Sequence, residues 1–201
     1  MKIAKYLITA ISLVSLSVFA NGTKDKLPSK KSYSVDTKKS SIVWTGKKVT
    51  GQHTGTLKIK SGTLKYDGSN LTGGEFVIDM TSINTTDLSG EWKAKLDGHL
   101  KNDDFFATDK HKTAKLVIKD AQFGKGGHWD VNGDLTIKGI TKPIMFKANV
   151  NKKGTMVMAS ADIKFNRLDY GVKYKSGKFF KDLGDKMIYD DVELKVNLTA
   201  K

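Results

Sequence analysis

The sequence predicts an all-β, antiparallel fold, a barrel or a sandwich, with a single amphipathic helix. Three observations carry this. Short apolar runs alternate with polar residues at a period of two, clusters of Gly, Asp, Asn and Ser separate them, and one stretch alone changes to a spacing of four. At 201 residues the chain fits one domain of the larger all-β kind, long enough to bury a core without disulfides or metals. No repeat period is visible.

The N-terminus reads as a signal peptide over residues 1–20. Lys2 and Lys5 lead an apolar run from Tyr6 to Phe19 that ends in Val18-Phe19-Ala20, suited to cleavage. The run is shorter than the roughly 20 residues that span a bilayer, which argues against a retained anchor. There is no cysteine, so no lipid-modified residue follows the cleavage point and thiol chemistry is excluded. The expected location is the periplasm or the medium. Residues 21–32, with Pro28 and several lysines, read as a polar tether.

Strands are expected at Ile42–Trp44, Leu57–Ile59, Leu64–Tyr66, Phe76–Met80, Lys115–Ile118, Val131–Ile137, Ile144–Val150, Met156–Phe165 and Val192–Leu198, all rich in β-branched or aromatic residues. Turns are expected at Ser61-Gly62, Asp67–Asn70, Gly124–Gly127, Lys138-Gly139 and Lys152–Gly154. From Thr86 to Lys101, Leu88, Trp92, Leu96 and Leu100 fall along one side of a helix, with Asp87 or Ser89 as N-cap. Such a helix between strands closes or flanks one end of the sheet, either as plain core packing or as a lid over a cavity mouth.

The net charge of +14 falls to +12 once Lys2 and Lys5 leave with the signal segment. That balance favours anionic partners. Lysines at alternate strand positions, as in Lys58-Ile59-Lys60, are first of all a solvated sheet face.

Catalytic and metal motifs find little support. His53, His99, His111 and His128 are dispersed, without metal-ligand spacing. Gly124–Gly127 lacks the Lys-Ser/Thr pair and following helix of a phosphate cradle. The pairs Asp103-Asp104 and Asp190-Asp191 lie in turn-like sequence, where solvated or capping carboxylates are the ordinary explanation. No serine has a nucleophile context. Neither an enzyme nor a resident cofactor or metal is expected.

The segment from Gly133 to Ile144, GDLTIKGITKPI, resembles the signature hairpin of the YceI-like family, exported proteins with a lipocalin-like barrel. Further matches fall in order: Tyr33–Asp36, Ser41–Trp44, Ile78-Asp79 with Ser82-Ile83, His99–Phe106, Arg167–Gly171 and Leu183–Asp185. The similarity spans about residues 33–199. Two departures bear on pocket shape: Trp44 stands where phenylalanine is common, and His111-Lys112 replaces an aromatic-proline pair.

The resemblance implies an antiparallel up-and-down barrel of about eight strands over residues 33–201. Its apolar tube would hold a polyisoprenoid, an isoprenoid quinone or a fatty-acid derivative. An eight-stranded barrel is wide enough to fill with its own side chains or to hold one small ligand. One parity per strand names the inward candidates Trp44, Phe76, Ile78, Leu116, Ile118, Leu135, Ile137, Phe146, Ile163 and Phe165, each of which also suits ordinary core. Arg167 and His99 are candidates for a polar head at the mouth, although Arg167 equally suits a structural pair with Asp169 or Asp185. The expected partners are an apolar, lipid-like molecule and a transient membrane-surface contact. Nucleic acid is not expected. Related barrels can form homodimers, though no residue specifies an interface. The rival reading is a filled barrel acting as an envelope interaction module, its basic exterior binding anionic polymers or a protein.

Overall fold

The computed structural model describes residues 31–201. The expected signal segment and most of the tether lie outside the described residues. Nine strands and one α-helix follow in order: β1 (Ser32–Ser34), β2 (Ser41–Lys48), β3 (Gly51–Tyr66), β4 (Leu71–Thr85), α1 (Gly90–Lys101), β5 (Thr113–Phe123), β6 (Trp129–Ile137), β7 (Ile140–Lys153), β8 (Met156–Asn166) and β9 (Ile188–Ala200). Each of β2 to β9 pairs antiparallel with its chain neighbour, and β2 pairs with β9. The result is a closed eight-stranded up-and-down barrel, which leaves no long sheet edge exposed.

β1 begins at Ser32, so the sheet takes in the last residue assigned to the tether. It pairs with the end of β3, and Val35 bridges to Ala200, filling the gap between β3 and β9 that β2 does not reach. This end of the barrel carries the chain's entry and the tight connections β3–β4, β5–β6 and β7–β8; we call it the hairpin end. The opposite, helix end carries the β2–β3 and β6–β7 turns, α1 with its following loop, and the long connection from Arg167 to Met187.

Most expected turns are present. At Lys138-Gly139 both residues have positive φ, 52° and 75°, the geometry that matches strand twist in a two-residue hairpin. Ser61-Gly62 is different: Leu57–Ile59 and Leu64–Tyr66 lie on one continuous strand, β3. Its register against β4 shifts between Ile59 and Ser61, which moves the inward parity from Leu57 and Ile59 to Leu64 and Tyr66. The sequence break marks a bulge.

β4 changes parity in the same way. Asp79 accepts from the Thr81 backbone N–H at 3.0 Å and from its hydroxyl at 2.6 Å. The Ser82 hydroxyl donates to the Asp79 carbonyl at 2.6 Å and accepts from the Lys58 N–H at 2.8 Å. These bonds satisfy the backbone where the ladder is interrupted, and the buried face moves from Ile78 and Met80 to Ile83 and Thr85.

The helix departs most from expectation. It starts at Gly90 rather than Thr86, and none of its residues is buried. Trp92 is 71% exposed, with the Lys95 ammonium 5.1 Å over its ring. The four-residue stripe is therefore no buried core face: Leu88 precedes the helix, and Leu88, Leu96 and Leu100 are each only half-buried. Polar contacts fasten α1 instead. Asp97 accepts from the Thr85 N–H at 2.8 Å, and Lys93 donates to the Asn84 amide oxygen at 2.8 Å and to Asp97. Ser89 takes the N-cap position without a side-chain cap bond, while Asp87 accepts from the Thr54 N–H and meets His53 Nδ1.

Candidate functional site: an apolar tube through the barrel

Alternation on the eight strands sends one set of side chains inward, and these leave a two-lobed cavity along the barrel axis. Ile42, Ile78, Leu135 and Leu194 line both lobes, forming a waist between them. The hairpin-end lobe gives the centres of water-sized molecules about 80 Å³ and the helix-end lobe about 120 Å³. Each exceeds the roughly 10–15 Å³ that one water needs, but a wall of aliphatic and aromatic groups gives water few partners.

Every apolar candidate lies on this wall. Phe76, Ile78, Leu116, Ile118, Leu135, Phe146 and Ile163 face the hairpin-end lobe; Trp44, Ile78, Leu135, Ile137 and Phe165 face the helix-end lobe. The small side chains Ala148, Ala159 and Ala161 make room in the first lobe. Sequence reasoning omitted the whole inner face of β9, although Val192, Leu194, Val196 and Leu198 alternate with polar residues and line the tube. It also omitted Ile42 and Phe105-Phe106. The last turn of α1 and the loop after it bring Leu100, Phe105 and Phe106 together to close the helix end.

Trp44 lies flat against β3 because its neighbour there is Gly55. A Cβ at Gly55 would sit 2.5 Å from the indole and 2.2 Å from the Asn84 carbonyl. Among the described residues, the buried Trp44 Nε1 and Thr85 Oγ1 find no hydrogen-bond partner.

Arg167 lines the helix-end lobe but is 2% exposed and fully committed. Nε donates to the Tyr189 carbonyl at 3.2 Å, and Nη1 donates to the Val172 and Tyr174 carbonyls, both at 2.9 Å. Nη2 donates to the Ile188 carbonyl at 3.1 Å and to Asp190 at 3.2 Å. All five guanidinium N–H groups are thereby used. Burial draws its pKa down and Asp190 opposes that shift. The head-group role expected for Arg167 thus lacks a free donor, and its acid partner is Asp190 rather than Asp169 or Asp185. Next to it, Tyr170 is buried, which pushes its phenol up to about 12.

His99 lines neither lobe. Its ring packs edge-on against Phe105 and Tyr174, with centroids 4.8 and 4.6 Å away, and Nε2 is 3.3 Å from Asp104. It buttresses the closing loop from behind. The acidic pairs are likewise occupied: Asp103 with Lys110 at 2.7 Å, which holds its carboxyl below the usual range, and Asp191 with Lys164 at 3.3 Å. Among the described residues no group of three or more His, Asp or Glu is placed to hold a metal.

A family model described as the YceI-like domain matches residues 33–200. A UPF0312 protein of Shewanella denitrificans is 30% identical over 123 residues, 58% of this chain and 62% of that protein. Protein YceI of Shigella flexneri is 32% identical over 100 residues, 50% of each chain. The match thus spans less than two thirds of these relatives' length. Among solved structures, Burkholderia cenocepacia BcnA superposes with a TM-score of 0.68 at 20% identity, covering 83% of this chain and 99% of that one. A polyisoprenoid binding domain from Saccharophagus degradans, implicated in plant cell wall breakdown, superposes with a TM-score of 0.62 at 18% identity, covering 84% and 97%. These two likenesses concern the fold.

Proposed function

This chain belongs to the YceI-like family, and from that premise we propose that it is an exported, non-enzymatic carrier or storage protein holding a long apolar ligand in its barrel. The ligand class is a polyisoprenoid, an isoprenoid quinone or a fatty-acid derivative. The observation that carries this reading is the tube itself: two lobes joined at a waist, walled by inward side chains of all eight barrel strands. The Saccharophagus degradans domain, described as polyisoprenoid binding, has the same fold and lends support.

Burial supplies the affinity. Each buried methylene contributes about 0.8 kcal/mol, so a tail of about ten carbons gives roughly 8 kcal/mol before ordering costs, in the micromolar range. With Arg167 bonded to protein and His99 outside the tube, binding relies on the apolar wall. Any polar group of the ligand meets the Trp44 indole or lies at a mouth.

Quenching of Trp44 tests the reading. Titrating ligand-free protein with a short-chain isoprenoid quinone should lower tryptophan emission with saturation at one equivalent, and Trp44→Phe should remove most of that quenching. Trp92 lies outside the barrel and Trp129 near its hairpin end. Emission that falls only linearly with quinone, or equally in the Trp44→Phe variant, would count against a ligand in the helix-end lobe.

A further inference from the structure

The connection from Gly171 to Met187 has a rigid root and an exposed tip. Val172 and Ser176 are fully buried, and Arg167 holds the Val172 and Tyr174 carbonyls. The Ile188 N–H donates to the Lys175 carbonyl at 3.0 Å. Beyond this root the Ser176 carbonyl accepts from both the Phe179 and Phe180 N–H groups at 3.0 Å, a turn that projects the two phenyl rings. They are 52% and 46% exposed. Adjacent exposed aromatics on an anchored turn are unusual where water is the only neighbour.

Their surroundings are basic. Lys173, Lys175, Lys178, Lys181 and Lys186 lie in this segment, against Asp182 and Asp185. Among the described residues none of the five lysines makes a salt bridge, and Lys48, Lys101, Lys112 and Lys138 at the same end make none either, so this whole end is basic; the loop is where that charge surrounds exposed aromatic rings. Lys173 sits 4.8 Å over the Phe179 ring. Two apolar rings among unneutralised ammonium groups match an interface with hydrocarbon below and phosphate above. A soluble polyanion would use the lysines and leave the rings in water.

We propose that the 171–187 loop is a membrane-docking tip, and that its partner is a bilayer surface containing anionic phospholipid. Phe179 and Phe180 enter the headgroup boundary while the lysines meet phosphates. The docked barrel presents its helix end to the bilayer, with the helix-end lobe beneath the loop's root. The inference goes beyond the carrier reading and stands without it, because a barrel with no cargo would dock the same way.

The test is co-sedimentation of the mature protein, without the signal segment expected over residues 1–20, with vesicles of phosphatidylcholine alone or mixed with phosphatidylglycerol. Wild type should bind the mixed vesicles, more weakly as salt rises. Phe179→Ser with Phe180→Ser should weaken binding about tenfold or more. Lys178→Ala with Lys181→Ala should weaken it roughly 30-fold. All four side chains are exposed, so circular dichroism should show an intact fold. Wild type failing to bind mixed vesicles, or the phenylalanine variant binding as wild type does, overturns the proposal. If only the lysine variant loses binding, the loop is a polyanion surface and the bilayer assignment falls. The chain enters the barrel at the hairpin end, so vesicle binding through residues before Lys31 would ignore these substitutions and count against the tip. Cargo is read separately, by extraction, so docking and carriage fail independently.

Discussion

Replacing Arg167 with alanine is expected to cost about 3–5 kcal/mol of folding stability, the cost typical of removing one member of a buried ion pair. The substitution strands the Val172, Tyr174, Ile188 and Tyr189 carbonyls together with the Asp190 carboxylate. The cavity that replaces the guanidinium is walled partly by apolar groups, so water recovers few of those bonds. Urea unfolding should show a lower midpoint at an unchanged slope. Arg167→Lys should recover only part, since one ammonium offers three donors where five acceptors are arranged. Amide exchange should quicken at Val172, whose N–H donates to the Arg167 carbonyl at 3.2 Å. A loss below about 1 kcal/mol would mean that Arg167 is held for another purpose, such as a ligand head.

The second large effect is on cargo. Ala161 lies on β8 facing the hairpin-end lobe, between Ala148 on β7 and Val196 on β9. Ala161→Phe places a ring in space the fold leaves open, so stability should change little, within about 1 kcal/mol. A ligand excluded from that lobe gives up about four or five methylenes, roughly 3–4 kcal/mol, and affinity should fall by more than about a hundredfold. Retained affinity in a folded Ala161→Phe protein would place the ligand elsewhere.

Much of this was legible in the sequence because period-two alternation is a direct image of the pleat. Ten inward candidates chosen by parity all reach the tube wall. Parity is lost where the backbone bulges. Asp79 and Ser82 encode such a bulge through hydrogen bonds to neighbouring backbone, which alternation cannot register. Gly62 reads as a turn residue, yet it sits mid-strand because a Cβ there would lie 2.7 Å from the Phe76 ring. The Leu88–Trp92–Leu96–Leu100 spacing satisfies a helical template, yet the helix begins after Leu88 and turns Trp92 to solvent; tertiary polar contacts from Asp97 and Lys93 set its position. Arg167 is expected at a ligand head or in a structural pair with Asp169 or Asp185, and the structure instead commits it to four backbone carbonyls and Asp190. Its acid partner lies 23 positions away, across a loop whose path only the fold supplies.

A carrier must hold a long apolar molecule in the tube. Native mass spectrometry of the protein purified without detergent, followed by organic extraction of whatever is released, reads the cargo itself. One equivalent of an isoprenoid or other long-chain species is expected, absent from the Ala161→Phe protein. An empty wild-type protein that also fails to take up added quinones, polyprenols and fatty acids would contradict the carrier reading.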